Sequence, residues 1–151
     1  MKKIMIASLL VFVFTTTSAF ADSGSFIGLR GGLYTDVEEP FIGAEYLTGI
    51  GPSVDFNPNI EYVFIDNMTY MTFNIDAHYD FYNRRGGFIY FGAGLGISYV
   101  DIDGAAESET DTGLNLLAGG GLSRGSVIPY IQVKMILGDN DELVVGFGLR
   151  F

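Results

Sequence analysis

The chain has no cysteine, which leaves both a disulfide framework and a lipid-modified N-terminal cysteine out of the expected architecture. Basic residues are scarce, eight Lys and Arg against eighteen Asp and Glu, for a formal net charge of −10. A nucleic-acid binder would need the opposite balance. Charged residues of both signs make up only 17% of the chain and the mean hydropathy is positive, a combination that an acidic soluble domain of this size would struggle to keep in solution. Long hydrophobic runs are also missing. After Ala21 no apolar stretch approaches the ~20 residues that a helix needs to cross a bilayer. A membrane protein built from strands meets these constraints together, because each strand shows lipid only half of its residues.

What is present begins with a leader. Lys2 and Lys3 precede a short apolar run from Ile4 to Phe14, and Ala19-Phe20-Ala21 offers a small-x-small cleavage pattern before Asp22. Residues 1–21 read as a secretory signal peptide, the run being too short for a first transmembrane helix. Its removal takes away Lys2 and Lys3 and moves the formal charge from −10 to −12. Residues 22–151 have room for one domain.

Eight alternating segments follow, at about 25–34, 41–49, 53–64, 69–82, 87–100, 112–122, 127–137 and 142–151. In the fourth, Met71, Phe73, Ile75, Ala77, Tyr79 and Phe81 alternate with Tyr70, Thr72, Asn74, Asp76, His78 and Asp80. Period two places these two sets on opposite faces. Gly28, Gly32, Gly43, Gly92, Gly94, Gly96, Gly119, Gly121, Gly146 and Gly148 share the face that carries the charges. On a water-exposed exterior such glycine would weaken strands without gain. Inside a narrow eight-stranded barrel it makes room for larger neighbours. The expected fold is therefore all-β, an eight-stranded antiparallel up-and-down transmembrane β-barrel with its charged face inward. Pro58 interrupts the third segment, where a bulge is expected.

The connections are polarised. The odd ones and the adjoining Glu142 hold Asp36, Glu38, Glu39, Asp66, Asp101, Asp103, Glu107, Glu109, Asp111, Asp139 and Asp141, so twelve of the eighteen acids gather at one rim. The even ones are short and glycine-bearing and carry Arg84, Arg85 and Arg124. This predicts periplasmic turns at the basic rim and an outward-facing acidic rim. Tyr46, Tyr62, Phe64 and Tyr99 are expected as an aromatic girdle toward one rim, with Tyr79, Phe81, Phe91 and Phe151 toward the other.

The last nine residues, Leu143-Val144-Val145-Gly146-Phe147-Gly148-Leu149-Arg150-Phe151, put every second side chain, from Leu143 to Phe151, on one greasy face. This stretch resembles the closing strand of bacterial outer-membrane barrels, and the whole 22–151 region is similar to the small eight-stranded group that includes the outer-membrane-protein A and X and opacity-like barrels. The resemblance implies that Gly146, Leu149 and Phe151 form a signal read by the barrel-assembly machinery, and that the protein resides in the cell outer membrane after export through the periplasm. Lipopolysaccharide is then an expected neighbour.

The chemistry-bearing residues allow several readings. Pairing the first two strands around residues 35–40 sets inward Arg30 opposite Glu45, predicting an interior ion pair in a network with Glu61, Lys134 and Arg150. His78, the only histidine, shares a face with Asp76 and Asp80, and a hairpin centred between Asp66 and Asn67 brings Asp55 across from it. Three carboxylates and an imidazole can hold a divalent metal, or they can satisfy one another in an interior hydrogen-bond network. The lipid A deacylases, barrels of similar size, use serine, histidine and a carboxylate, but here no serine lies near His78 on its face. No enzyme activity and no cofactor are expected. The acidic stretch with Asp101, Asp103, Glu107, Glu109 and Asp111 lacks EF-hand spacing. It reads as a solvated loop or as a bridge to lipopolysaccharide phosphates through calcium or magnesium. The functional expectation is a small structural or surface-interaction barrel with a polar, plugged lumen. The alternatives are a narrow channel or transporter for small or apolar solutes and, behind it, a lipid A-modifying hydrolase.

Overall fold

The computed structural model describes residues 24–84, 86–104 and 106–151; the leader expected over 1–21, together with Arg85 and Ala105, lies outside them. Eight strands follow one another in chain order: β1 (Ser25–Tyr34), β2 (Glu39–Gly51), β3 (Val54–Val63), β4 (Met68–Arg84), β5 (Gly87–Ile102), β6 (Glu109–Gly121), β7 (Ile128–Leu137) and β8 (Glu142–Arg150). Each pairs antiparallel with its sequence neighbour, and β8 returns to β1 to close the barrel. Closure leaves no open edge among the strands.

The two faces divide as the alternation demands. Outward side chains are apolar and open, as at Ile75 (59% exposed), Leu95 (68%), Ile131 (70%) and Phe147 (64%). Inward side chains are mostly polar and buried, among them Arg30, Glu45, Glu61, Asp76, His78, Lys134 and Arg150. The barrel is thus inverted relative to a water-soluble one, oily outside and ionic within.

The seam between β1 and β8 runs in register from Gly28 opposite Arg150 to Tyr34 opposite Val144. It is extended at both ends. The Thr35 backbone N–H donates to Leu143 O at 2.8 Å, and Phe151 and Ile27 exchange backbone bonds of 2.9 and 3.3 Å. At the acidic rim the Asp36 N–H donates to Glu142 Oε1 at 2.8 Å, and the Leu143 N–H returns a bond to Asp36 Oδ2 at 3.1 Å.

Three details differ from the sequence expectation. β5 and β6 extend past the expected segment ends, so the long acidic connection shrinks to residues 103–108, and Asp101, Glu109 and Asp111 sit on strands. Tyr46 faces Ile27, whose N–H bonds Phe151 O, which puts it at the rim of the basic turns and not with Tyr62 and Phe64 near the acidic loops.

The third is Pro58, where the expected bulge is absent. The register is the same on either side, with Glu45 opposite Asn59 and Thr48 opposite Phe56, and the register shifts fall instead at Gly49/Gly51 and Asp80/Tyr82. The Phe64 N–H donates to Pro40 O at 2.9 Å, and bonding pairs recur every second residue along an antiparallel ladder, so Tyr46 opposite Pro58 is also a bonding pair. Proline has no N–H to give the Tyr46 carbonyl. The side-chain amide of Asn57 supplies the donor, with Nδ2 3.1 Å from Tyr46 O and 3.1 Å from Glu45 Oε2. The strand keeps its pairing because the preceding side chain replaces the missing backbone group.

Asn57→Ala removes the bonds to Tyr46 O and Glu45 Oε2 and should lower the unfolding free energy by about 1–3 kcal/mol, read by urea titration of the micelle-folded barrel. Pro58→Ala, which restores a backbone donor, should stabilise the Asn57→Ala background more than it stabilises the native sequence. Additive effects of the two substitutions would exclude this compensation.

Candidate functional site

The interior is assembled by setting large side chains against glycine. Across the ladders Glu45 faces Gly28, Glu61 faces Gly43, Asn74 faces Gly96, Asp76 faces Gly94, His78 faces Gly92, Tyr90 faces Gly119 and Tyr130 faces Gly148. A Cβ added at Gly28 would meet Glu45 Oε1 at 2.6 Å, and one at Gly96 would meet Asn74 Oδ1 at 2.7 Å.

In the space so defined runs a chain of charges. Lys134 Nζ donates to both Glu61 oxygens at 2.9 and 2.8 Å, and Arg30 Nη2 stands 3.1 Å from Glu61 Oε1. Arg30 Nη1 reaches Glu45 Oε2 at 3.7 Å, and Arg150 Nε donates to Glu45 Oε1 at 2.7 Å. Tyr34 and Thr72 hydroxyls complete the shell of Glu61. The order is therefore Lys134, Glu61, Arg30, Glu45, Arg150, with Arg30 shared between the carboxylates. Arg30 is not directly opposite Glu45, as expected from a loop over 35–40, but opposite Gly43. The turn is shorter and β2 starts at Glu39, which slides the pairing by two residues and preserves the faces.

Asp76 supplies a third buried carboxylate, held by amides instead of cations. Asn59 Nδ2 donates to its Oδ2 at 2.9 Å, Asn115 Nδ2 to its Oδ1 at 2.8 Å, and Asn74 Nδ2 to Asn59 Oδ1 at 3.0 Å. Within the belt the charges balance, since Arg30, Lys134 and Arg150 match Glu45, Glu61 and Asp76, while Glu142, also buried, lies at the acidic rim. Apolar layers bound this belt. Tyr34, Phe41, Val63 and Val144 pack toward the acidic rim, and Phe88, Tyr90, Leu117 and Tyr130 toward the other. Above the first layer a cavity of about 800 Å³ opens among Asp36, Glu39, Tyr70, Asp111, Ile136 and Glu142 and descends to Thr72 and Asn74.

The residues considered as metal ligands are spread apart. Asp55 does lie across from His78, but Asp76 is drawn into the amide network and His78 stacks on Tyr90 with ring centroids 4.5 Å apart. Asp80 accepts from Asn83 Nδ2 at 3.2 Å. Among the described residues no group of three carboxylate or imidazole side chains is arranged to hold a metal ion. Of the acidic stretch, Asp101, Asp103, Glu107, Glu109 and Asp111 are distributed along the tips of β5 and β6 and the loop between, and the Asp103 N–H donates to Asn67 O at 2.9 Å. Gly146 lies inward beside Phe41, while Leu149 and Phe151 point outward. The amides of Asn57, Asn59, Asn74 and Asn115 and the phenol of Tyr34 were not anticipated as site residues. Their signal was available, an asparagine repeated at inward positions of strands whose outward positions are apolar.

No family profile matches the chain, and no curated protein matches it in sequence. Solved structures do match in shape. The N-terminal β-barrel domain of Pseudomonas aeruginosa OprF superposes with a TM-score of 0.73 at 18% identity, over 85% of this chain and 97% of that one. The chain has the fold of the small outer-membrane β-barrels. Neisserial surface protein A follows at TM-score 0.64 and 16% identity, over 85% and 96% of the two chains. Ail, the attachment invasion locus protein of Yersinia pestis, solved with the heparin analogue sucrose octasulfate, gives 0.60 and 15%, over 84% and 97%. Within this outer-membrane-barrel fold the charge belt is the feature built from the most buried polar groups.

Glu61→Gln should cost about 3–5 kcal/mol of unfolding free energy, because Lys134 then loses its carboxylate partner and Arg30 keeps Glu45 alone. Replacing Glu61 and Lys134 together by methionine should cost less than Glu61→Gln alone. Urea titration of the micelle-folded barrel reads both.

Proposed function

We propose that the protein is a small integral barrel of the bacterial outer membrane with a structural or surface-interaction role, exported by its leader and inserted through the barrel-assembly machinery. The observation that carries this reading is the inversion of the barrel. Its oily exterior suits a lipid bilayer, and its backbone groups are satisfied strand to strand as a bilayer demands. The neighbours support it: one is a β-barrel domain, one a surface protein, and Ail an outer membrane protein by description.

On this reading the acidic connections face outward and the tight turns that carry Arg84 and Arg124 face the periplasm. Carboxylates at the outer rim repel bare lipopolysaccharide phosphate and meet it through calcium or magnesium. The role assigned to the belt and its apolar layers is to plug the lumen. The reading includes no catalysis, for His78 is stacked on Tyr90 and serves packing.

The 800 Å³ vestibule at the acidic rim favours one second reading, a narrow route for a small or apolar solute. Planar-bilayer recording separates the two: the plugged barrel is expected to give no steady conductance, and a sustained ion current would favour the route. For orientation, a protease site placed in residues 103–108 should be cut in intact cells. Cleavage only after the outer membrane is permeabilised would reverse the assigned sidedness.

A further inference from the structure

The oily outer face of the barrel is not evenly filled. Across β5 to β8 the ladders set Ile89, Gly120, Ile131 and Phe147 side by side in one row, and Phe91, Ala118, Val133 and Val145 in the next. In both rows β6 contributes the smallest side chain. A groove of about 970 Å³ therefore runs along β6, with β5 on one bank and β7 on the other, two strand spacings or about 10 Å apart. It reaches Leu122, whose N–H donates to Pro129 O at 3.0 Å where the β6–β7 hairpin closes.

Two arginines stand beyond that end. Arg84 lies opposite Gly87, in the outward register it shares with Tyr82 and Ile89, and its guanidinium is 5.8 Å from the Tyr82 ring centroid. Arg124 leans over the adjoining β4–β5 turn, since a Cβ added at Gly86 would meet its Nε at 2.9 Å. Ser123 Oγ ties the two turns together by donating to Arg84 O at 3.4 Å. The other described cations, Arg30, Lys134 and Arg150, are held by carboxylates in the belt. Arg84 and Arg124 are exposed and enter no ion pair among the described residues. Asp55 and Asp80, the acids toward this rim, share the inward register, opposite His78 and Tyr90.

An apolar groove with free guanidinium groups at its interfacial end matches an acyl chain joined to an anionic headgroup, because arginine pairs with phosphate through parallel, charge-assisted bonds. A zwitterionic headgroup brings an ammonium to the same place. A second copy in the same membrane orientation would set basic rim against basic rim. We propose that this groove retains an anionic glycerophospholipid, one acyl chain lying along β6 over Ala118 and Gly120 and the phosphate resting on Arg84 and Arg124. The inference rests on the membrane reading above, and on its sidedness for the choice of a glycerophospholipid over lipopolysaccharide. Without Lys2 and Lys3 the chain as a whole carries −12 and repels anionic lipid, so a preference for it has to arise locally, at the basic turns.

The test is native mass spectrometry of the barrel released from nanodiscs that hold equal amounts of phosphatidylglycerol and phosphatidylethanolamine with matched chains. Phosphatidylglycerol should be retained over phosphatidylethanolamine, and the ratio should fall about fivefold for each of Arg84→Gln and Arg124→Gln. Both substitutions are at exposed turn positions and leave the barrel intact. Ala118→Phe, on the exposed face, should fill the groove and lower the amount of phosphatidylglycerol retained although both arginines remain. Equal retention of the two lipids, a ratio unchanged when both arginines are replaced, an Ala118→Phe barrel that retains as much lipid as the native one, or lipid-free dimers would each overturn this inference and leave the membrane reading standing. A barrel that does not enter the nanodiscs overturns both.

Discussion

Interior volume is the constraint on which the rest of this barrel depends. Eight strands enclose a narrow cylinder, and a network of arginine, lysine, glutamate and tyrosine fits because most of its large groups have a glycine across the ladder, Lys134 between Leu117 and Val144 being an exception. Gly28 gives its space to Glu45, Gly43 to Glu61, Gly94 to Asp76 and Gly119 to Tyr90. Glycine weakens an isolated strand. Here the loss is offset by closure, which supplies every strand with two neighbours, and by the side chains that fill the space.

The second constraint follows from the first. Groups packed so closely away from water are costly to leave unpaired, and most of them pair in one of two dialects, with atoms such as His78 Nε2 and Gln132 Nε2 left over. Near β1, β2 and β8 the language is ionic, running from Lys134 through Glu61, Arg30 and Glu45 to Arg150. Near β4 and β6 it is amide, with Asn59, Asn74 and Asn115 around Asp76. Asn57 joins them, since one amide bonds both Glu45 and the backbone carbonyl that Pro58 leaves without a donor.

Much of this was legible in the chain. Alternation located most of the strands, the need for an even count helped to place the first, second and sixth, the glycines chose the inward face, and a hairpin centred between Asp66 and Asn67 sets Asp55 against His78, as observed. What stayed hidden depends on information carried by no single strand. A two-residue slide between β1 and β2 keeps every side chain on its face, so periodicity cannot distinguish Arg30 opposite Glu45 from Arg30 opposite Gly43. A bulge at Pro58 was a sound inference from the lost donor, but it ignored the neighbouring asparagine. Tyr46 was set at the wrong rim because its place depends on β2 running downward to the 52–53 turn. The convergence of Asp76 with amides, rather than with His78 and Asp80, turns on contacts made by β3 and β6.

The outward face has a different consequence. Ile75, Leu95, Ile131 and Phe147 are largely exposed, and a lipid-facing position asks for an oily side chain more than for a particular one. Half of every strand is therefore free to wander over evolutionary time without disturbing the architecture. An 18% identity beside a 0.73 TM-score against the OprF barrel is what such latitude allows: the letters can differ at most positions while the shape is kept.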